Sequence, residues 1–156
     1  MAALQTAPHV QTIPLADPLA TEALAAKYAA TLVRGDVIAL TGDLGAGKTV
    51  FARALIRALG RAAGIEIDHV PSPTFTLVQL YDLADFTLYH FDLYRLESPE
   101  DAWEIGIEDA FADGVSVIEW AERIEHLVPP HHIRVDLAFG EDETARIATV
   151  TEPKPA

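Results

Sequence analysis

The run VIALTGDLGAGKTVFARAL, residues 37–55, decides the fold. Val37-Ile38-Ala39-Leu40 is a short, continuous apolar stretch, the pattern of a strand buried on both faces. GDLGAGKT, Gly42 to Thr49, fits G-x-x-x-x-G-K-[ST] without mismatch. Beyond it, Val50, Phe51, Ala54, Leu55, Ala58 and Leu59 recur at helical spacing, and Gly60 is expected to cap that helix. Strand, glycine loop and helix in this order form the setting in which the motif holds phosphate. Glycine lets the backbone curl and lets phosphate oxygens approach without a Cβ in the way. The loop N–H groups and the start of the helix then supply partial positive charge.

Working outward, Asp17-Pro18 is a helix-start pair, and the Ala- and Leu-rich stretch Thr21 to Leu32 continues it. Downstream, Thr74 to Tyr81 and Phe86 to Leu93 are rich in Thr, Phe, Tyr, Val and Leu, which predicts an antiparallel pair. Ser98-Pro99-Glu100-Asp101 reads as another helix start with a capping box, and helical pieces are expected over Pro99 to Ala112, broken near Gly106. Val115 to Ile118 reads as a second fully buried strand. Ala121 to Leu127 suits a short helix stopped by Pro129-Pro130. Ile133 to Phe139 and Ala145 to Val150 flank Gly140-Glu141-Asp142-Glu143 as in a hairpin. The expected fold is a single α/β domain over residues 13–150. It is a three-layer sandwich whose mixed, mainly parallel sheet carries antiparallel edge strands. Residues 1–12 and 151–156 read as flexible ends.

Composition narrows the function. With 156 residues, half of them hydrophobic, the chain has the apolar content of one packed domain rather than of a disordered segment. It has no cysteine, which removes disulfides, thiolate metal sites and a thiol nucleophile. Eleven basic against 24 acidic residues leave a net charge of −13, which opposes direct grip on a polyanion such as DNA or RNA. No stretch has the roughly 20 apolar residues of a membrane span, and no basic-then-apolar leader opens the chain, so a cytoplasmic location is expected.

The nucleotide-binding positions read from the motif are Gly42, Asp43, Leu44, Gly45, Ala46, Gly47, Lys48, Thr49 and Val50. Lys48 is placed to neutralise the β- and γ-phosphates, and the Thr49 hydroxyl to coordinate Mg²⁺. Such a loop needs an acid at the end of a neighbouring strand, and two compete. Glu119 follows Val115-Ser116-Val117-Ile118 and is expected to support the metal. Asp92 follows Thr87-Leu88-Tyr89-His90-Phe91 and is expected to position or deprotonate the attacking water, or to make a second link to the metal. Ser72-Pro73-Thr74 offers two hydroxyls on a stiff loop, as a switch sensing the γ-phosphate would. Trp120 follows Glu119 and is expected near the nucleotide. Tyr81, Phe91 and Tyr94 read as core. His131-His132 would point to opposite faces of a strand and makes a poor metal pair. Arg95, three residues after Asp92, is the best local candidate for an arginine at the γ-phosphate.

Four separated motifs, GDLGAGKT at 42–49, SPTFTLV at 72–78, HFDLYRL at 90–96 and VIEW at 117–120, occur in this order. Together they resemble the TsaE family, small ATPases of bacterial tRNA threonylcarbamoyladenosine biosynthesis, over Ile13 to Val150. The resemblance implies ATP and ADP as ligands, with Mg²⁺. It implies Lys48 on phosphate, Thr49 and Glu119 at the metal, Asp92 in hydrolysis, Trp120 beside the site, and Ser72 and Thr74 in a switch. It implies TsaD and TsaB as protein partners, with tRNA reached only through them. Two other functions use the same loop. A nucleotide-gated binding module would differ only in rate. A small-molecule kinase would need clustered arginines in a lid, which Arg95, Arg123, Arg134 and Arg146 do not form along the sequence.

Overall fold

A computed structural model describes residues 8–153. Its frame is one seven-stranded sheet, made of β1 (His9–Leu15), β2 (Val37–Thr41), β3 (Val78–Asp82), β4 (Thr87–Asp92), β5 (Val115–Glu119), β6 (Ile133–Phe139) and β7 (Arg146–Glu152), in the order β1-β7-β6-β2-β5-β4-β3. The four central strands β6, β2, β5 and β4 run parallel. Antiparallel partners flank them, β3 on one side and β7 with β1 on the other.

The central strands are apolar along their whole length because both faces are covered. Every residue of β2 and of β5 is buried. Ile38 and Leu40 face one layer, with Phe51, Leu55 and Ile56 of α2 (Lys48–Ala62) and Leu24 and Tyr28 of α1 (Pro18–Ala29). Val37 and Ala39 face the other, with Ile107 and Ala110 of α3 (Ile107–Asp113) and Ile124 of the 3₁₀ segment Ala121–Leu127. The result is the three-layer sandwich with a mixed sheet. Among the described residues no helix is long and apolar enough to cross a membrane.

Local chemistry sets the boundaries. Asp17 caps α1, its carboxylate accepting from the Ala20 N–H at 2.9 Å, with Pro18 in the first turn. Ser98 does not form the expected capping box. Its hydroxyl turns to the Glu100 carboxylate instead, and the following 3₁₀ helix Pro99–Ile105 starts without a side-chain cap. Gly106, at φ 85°, then separates that helix from α3 as expected. Gly60 does not end α2. It lies inside the helix, where an added Cβ would meet Ile67 Cδ1 at 2.8 Å and Ile65 O at 2.9 Å, so it is there for close packing. The left-handed glycine just beyond the helix is Gly64, at φ 76°. Residues 74–77 precede β3 as a turn rather than forming part of it, because Leu77 adopts φ 70°.

The reading of 1–12 and 151–156 as flexible ends needs correction. Residues 9–12 and 151–152 are paired in β1 and β7, with His9 opposite Glu152 and Val10 opposite Thr151. Their side chains are exposed or half-exposed, so no apolar pattern marks them, and the pairing is made by main-chain hydrogen bonds. Residues 1–7 and 154–156 lie outside the described part.

Candidate functional site

The phosphate-loop motif lies between β2 and α2, at the C-terminal edge of the parallel strands. Gly42, Gly45 and Gly47 all take positive φ, at 139°, 84° and 111°. These values are cheap only for glycine, and they turn the loop tightly enough for successive N–H groups to converge. α2 has no side-chain cap at Gly47, so the N–H groups of its first turn have no side-chain acceptor. A 15-residue helix with an uncapped N-terminus favours an anion there.

Lys48 is 4% exposed. Its Nζ donates to the Gly42 and Asp43 carbonyls, the latter at 2.9 Å, and lies 3.9 Å from the Trp120 ring centroid. Burial pushes the Lys48 ammonium below its ordinary pKa range, against the opposing pull of Glu122, Glu119, Asp43 and Asp92. Burial likewise pushes the Glu122 carboxyl up, while its backbone hydrogen bond and the charge of Lys48 work the other way. Trp120 reaches this position through a left-handed backbone, φ 61° and ψ 42°, directly after β5. A phosphate entering the loop competes for the Lys48 ammonium, so Trp120 fluorescence is expected to shift when nucleotide binds. The chain has two tryptophans, and a Trp103→Phe variant isolates the signal. A flat titration in that variant, with binding seen by calorimetry, would mean that the nucleotide leaves the Lys48–Trp120 contact undisturbed and would overturn this expectation.

The two acids stand side by side. Sheet register pairs Asp92 with Glu119, and Leu40 with Glu119 on the other flank. Glu119 is 1% exposed and both its oxygens are engaged. Oε1 accepts from Thr49 Oγ1 at 2.6 Å, and Oε2 from His90 Nε2 at 2.7 Å. The carboxylate only accepts here, so it selects the Nε2–H tautomer of His90. His90 is fully buried and its Nδ1 has no hydrogen-bond partner. Asp92 Oδ1 accepts from the Tyr94 N–H at 3.1 Å, and Oδ2 from Thr74 Oγ1 at 3.2 Å. Thr74 lies 3.0 Å from Ser72 Oγ. The 71–77 loop is also pinned to the end of β4 by Asp92 N–H to Leu77 O, at 3.0 Å.

These groups enclose a cleft of about 320 Å³ lined by Leu44, Gly45, Gly47, Lys48, Thr49, Val50, Ser72, Thr74, Asp92, Tyr94, Glu119 and Trp120. Three motif residues stand behind that wall: Ala46 is fully buried, Gly42 packs on Leu137, and Asp43 gives its carbonyl to Lys48. Tyr94, expected in the core, is a cleft residue instead, 42% exposed with its ring 4.9 Å from that of Trp120. No arginine lines the cleft. Arg95 lies over the exposed Phe75 ring at 4.4 Å, away from the position expected for it. His90 was missed by the sequence reading; its signal is its place in HFDLYRL, two residues before Asp92, so that both alternate onto one face of the strand. A larger cavity, about 540 Å³, lies at the other end of α2 between Arg57, Arg61, Glu66 and Asp68 and contains none of the motif residues.

The donor set suits Mg²⁺. Thr49 Oγ1 and Glu119 Oε1 are hard oxygens converging beside the phosphate loop, and Mg²⁺ takes one or two such ligands plus phosphate and water. Among the described residues no group of three or more His, Cys, Asp or Glu side chains forms an all-protein metal cage. The arrangement can hold a polyphosphate, a hard cation and an oriented water.

The model of the family described as "Threonylcarbamoyl adenosine biosynthesis protein TsaE" matches residues 15–148. A tRNA threonylcarbamoyladenosine biosynthesis protein TsaE from Rickettsia bellii is 43% identical over 131 residues, covering 84% of this chain and 88% of that protein. Its counterpart of the same name from Bacillus subtilis is 36% identical over 129 residues, covering 81% and 77%. A crystal structure of YdiB from Bacillus subtilis superposes with a TM-score of 0.73 at 29% identity, over 96% of this chain and 89% of that one.

Proposed function

The chain belongs to the TsaE family, and from that premise we propose that it binds ATP with Mg²⁺ in this cleft and hydrolyses it slowly. In doing so it serves threonylcarbamoylation of the adenosine next to the tRNA anticodon, acting in the cytoplasm on a complex of TsaD and TsaB. The observation that carries the reading is the hydrogen-bonded line Thr49–Glu119–His90 beside the uncapped start of α2, with Asp92 one strand away.

Each group then has a task. The loop N–H groups and Lys48 hold the phosphates. Thr49 and Glu119 hold Mg²⁺, which when bound spreads the charge of the β- and γ-phosphate oxygens. His90, locked in the core, fixes the direction of the Glu119 carboxylate. Asp92, itself held by Tyr94 N–H and the Thr74 hydroxyl, orients the attacking water and takes its proton. Because Thr74 touches Asp92, the state of the γ-phosphate position is passed to the 71–77 loop. With no arginine at the cleft, turnover by the chain alone is on the order of 10⁻³ per second, as in phosphoryl-transfer sites lacking an arginine finger. The −13 charge supports contact with tRNA through protein partners rather than directly.

The test has two arms. Phosphate release from ATP is measured for the wild type and Asp92→Ala, with a drop of about 100-fold expected in the variant. The chain is then used to capture TsaD–TsaB in ATP and in ADP, and capture is expected to depend on the nucleotide. Wild-type release by Asp92→Ala refutes its role, and capture indifferent to nucleotide refutes the assisted cycle.

A further inference from the structure

We propose that Arg53 is a positioning residue for hydrolysis: from α2 it holds the main chain ahead of the 71–77 loop, and through that loop it sets Thr74 on Asp92. The proposal rests on the nucleotide reading above. Arg53 does not line the cleft. It stands four residues after Thr49 on α2, on the same face and about 6 Å further along the axis. The side chain is half-buried, and its Nε–H donates to the Val70 carbonyl at 3.0 Å. One turn later Arg57 makes a longer contact of the same kind, 3.3 Å to the Asp68 carbonyl. Burial pushes the Tyr81 phenol above its ordinary range while the charges of Arg53 and Arg57 pull it back, so both guanidinium groups lie beside β3 as well.

Residues 63–77 run from α2 to β3 without a helix or strand, a length of irregular chain that compact domains keep for functional loops. The far end is fixed on β4: the Asp92 N–H donates to the Leu77 carbonyl, and the Leu77 N–H closes back on the Pro73 carbonyl at 2.7 Å. The near end is fixed at Val70. The Val70 side chain is 2% exposed, in the buried cluster of Leu55 and Leu59, which sets the depth of the chain but not the rotation of its peptide plane. The hydrogen bond from Arg53 sets that rotation. Only Pro71, Ser72 and Pro73 separate Val70 from Thr74. Each proline locks φ at about −65°, so this piece acts as a short rod. A rod carries a rotation at Val70 to Thr74, whose hydroxyl donates to Asp92 Oδ2 at 3.2 Å. One face of α2 thus governs both acids. Thr49 meets Glu119 directly, and Arg53 reaches Asp92 through the loop.

The experiment combines steady-state ATP turnover with amide hydrogen exchange of the nucleotide-free chain. It uses wild type, Arg53→Met, Arg57→Met, Thr74→Val and the double variant of Arg53→Met with Thr74→Val. Methionine keeps the apolar stem of arginine and removes the donor. Arg53→Met is expected to exchange the amides of residues 74–77 about tenfold faster. It is also expected to lower kcat about tenfold with KM within about twofold of wild type. Thr74→Val is expected to show a similar loss in kcat, and the double variant no more than the larger single loss, because both break one line of contacts. Arg57→Met is expected to match wild type in both readouts. Unchanged exchange in Arg53→Met overturns the proposal whatever the turnover. Faster exchange with wild-type kcat overturns it too, as do losses that multiply in the double variant. An equal loss in Arg57→Met assigns the effect to charge on α2 and likewise overturns it. A wild-type chain that turns over no ATP overturns the nucleotide reading itself, a result the exchange measurement keeps apart from failure of the Arg53–Val70 contact.

Discussion

Glu119→Gln is expected to lower Mg²⁺-dependent ATP turnover by about 100- to 1000-fold, equivalent to about 3–4 kcal/mol of transition-state stabilisation. The substitution keeps the size of the side chain and an oxygen able to accept from Thr49. It removes the negative charge and replaces one acceptor by an amide. Two contacts are thereby altered, one by loss of charge and one by loss of its acceptor, at a site that is 1% exposed, where water cannot make up the loss. One is the partner of Thr49 Oγ1, at 2.6 Å. The other is the partner of His90 Nε2, at 2.7 Å, so an amide N–H in place of Oε2 faces an imidazole that must change tautomer to receive it. The signature lies in how the loss divides. The loop and Lys48 are untouched, so ATP binding without metal is retained. The Mg²⁺ midpoint of turnover rises and the maximal rate falls. Phosphate release across a Mg²⁺ titration reads both, and a variant with wild-type midpoint and rate removes Glu119 from the metal site.

That experiment depends on residues with very different visibility in sequence. Glu119 and Asp92 could be selected because each ends a largely apolar strand, and an acid there falls at the edge where parallel strands deliver ligands. The central layer was legible for the same reason: strands buried on both faces have little choice but Val, Ile, Leu and Ala. His90 had only its place two residues before Asp92 to mark it. It sits among strand residues like any core side chain, and its meaning comes from a contact 29 residues away. The bond from Arg146 to the Gly45 carbonyl was hidden in the same way, since it spans 101 residues and no local pattern announces it. Tyr94 looked like core because aromatic residues usually are, yet two residues beyond β4 it faces the cleft. At the ends, β1 escaped notice because an edge strand with exposed side chains is held by main-chain pairing, which leaves little trace in composition. Local chemistry is readable locally, whereas contacts made by the topology become visible only when the topology is known.

Gly42→Ala is expected to destabilise the fold by about 3 kcal/mol and to weaken ATP binding by about 100-fold or more. The reason is steric and has no remedy nearby. Gly42 has φ 139°, where a side chain is strained in any surroundings. Its missing Cβ also faces the backbone: an added methyl would overlap the Leu137 carbonyl oxygen and lie 3.3 Å from the carbonyl carbon. Leu137 cannot retreat, because it is 3% exposed in β6 and paired with Ala148 of β7. Nor can the chain before Gly42, since Thr41 pairs with Asp136 in the ladder and its hydroxyl donates to the Asp136 carboxylate. The loop must therefore move, carrying with it the N–H groups that converge on phosphate and the carbonyl that Lys48 binds. For a chain of 156 residues the stability loss corresponds to a melting temperature lower by roughly 6–12 °C. Gly35→Ala is the matching control. Gly35 also has positive φ, at 95°, but nothing lies within 4 Å of its added Cβ. It should cost about 1 kcal/mol in strain and leave ATP binding unchanged. Thermal melts and calorimetric titrations of both variants separate general glycine strain from the contact with Leu137. Wild-type ATP affinity in Gly42→Ala would mean that the phosphate loop does not depend on its close approach to β6.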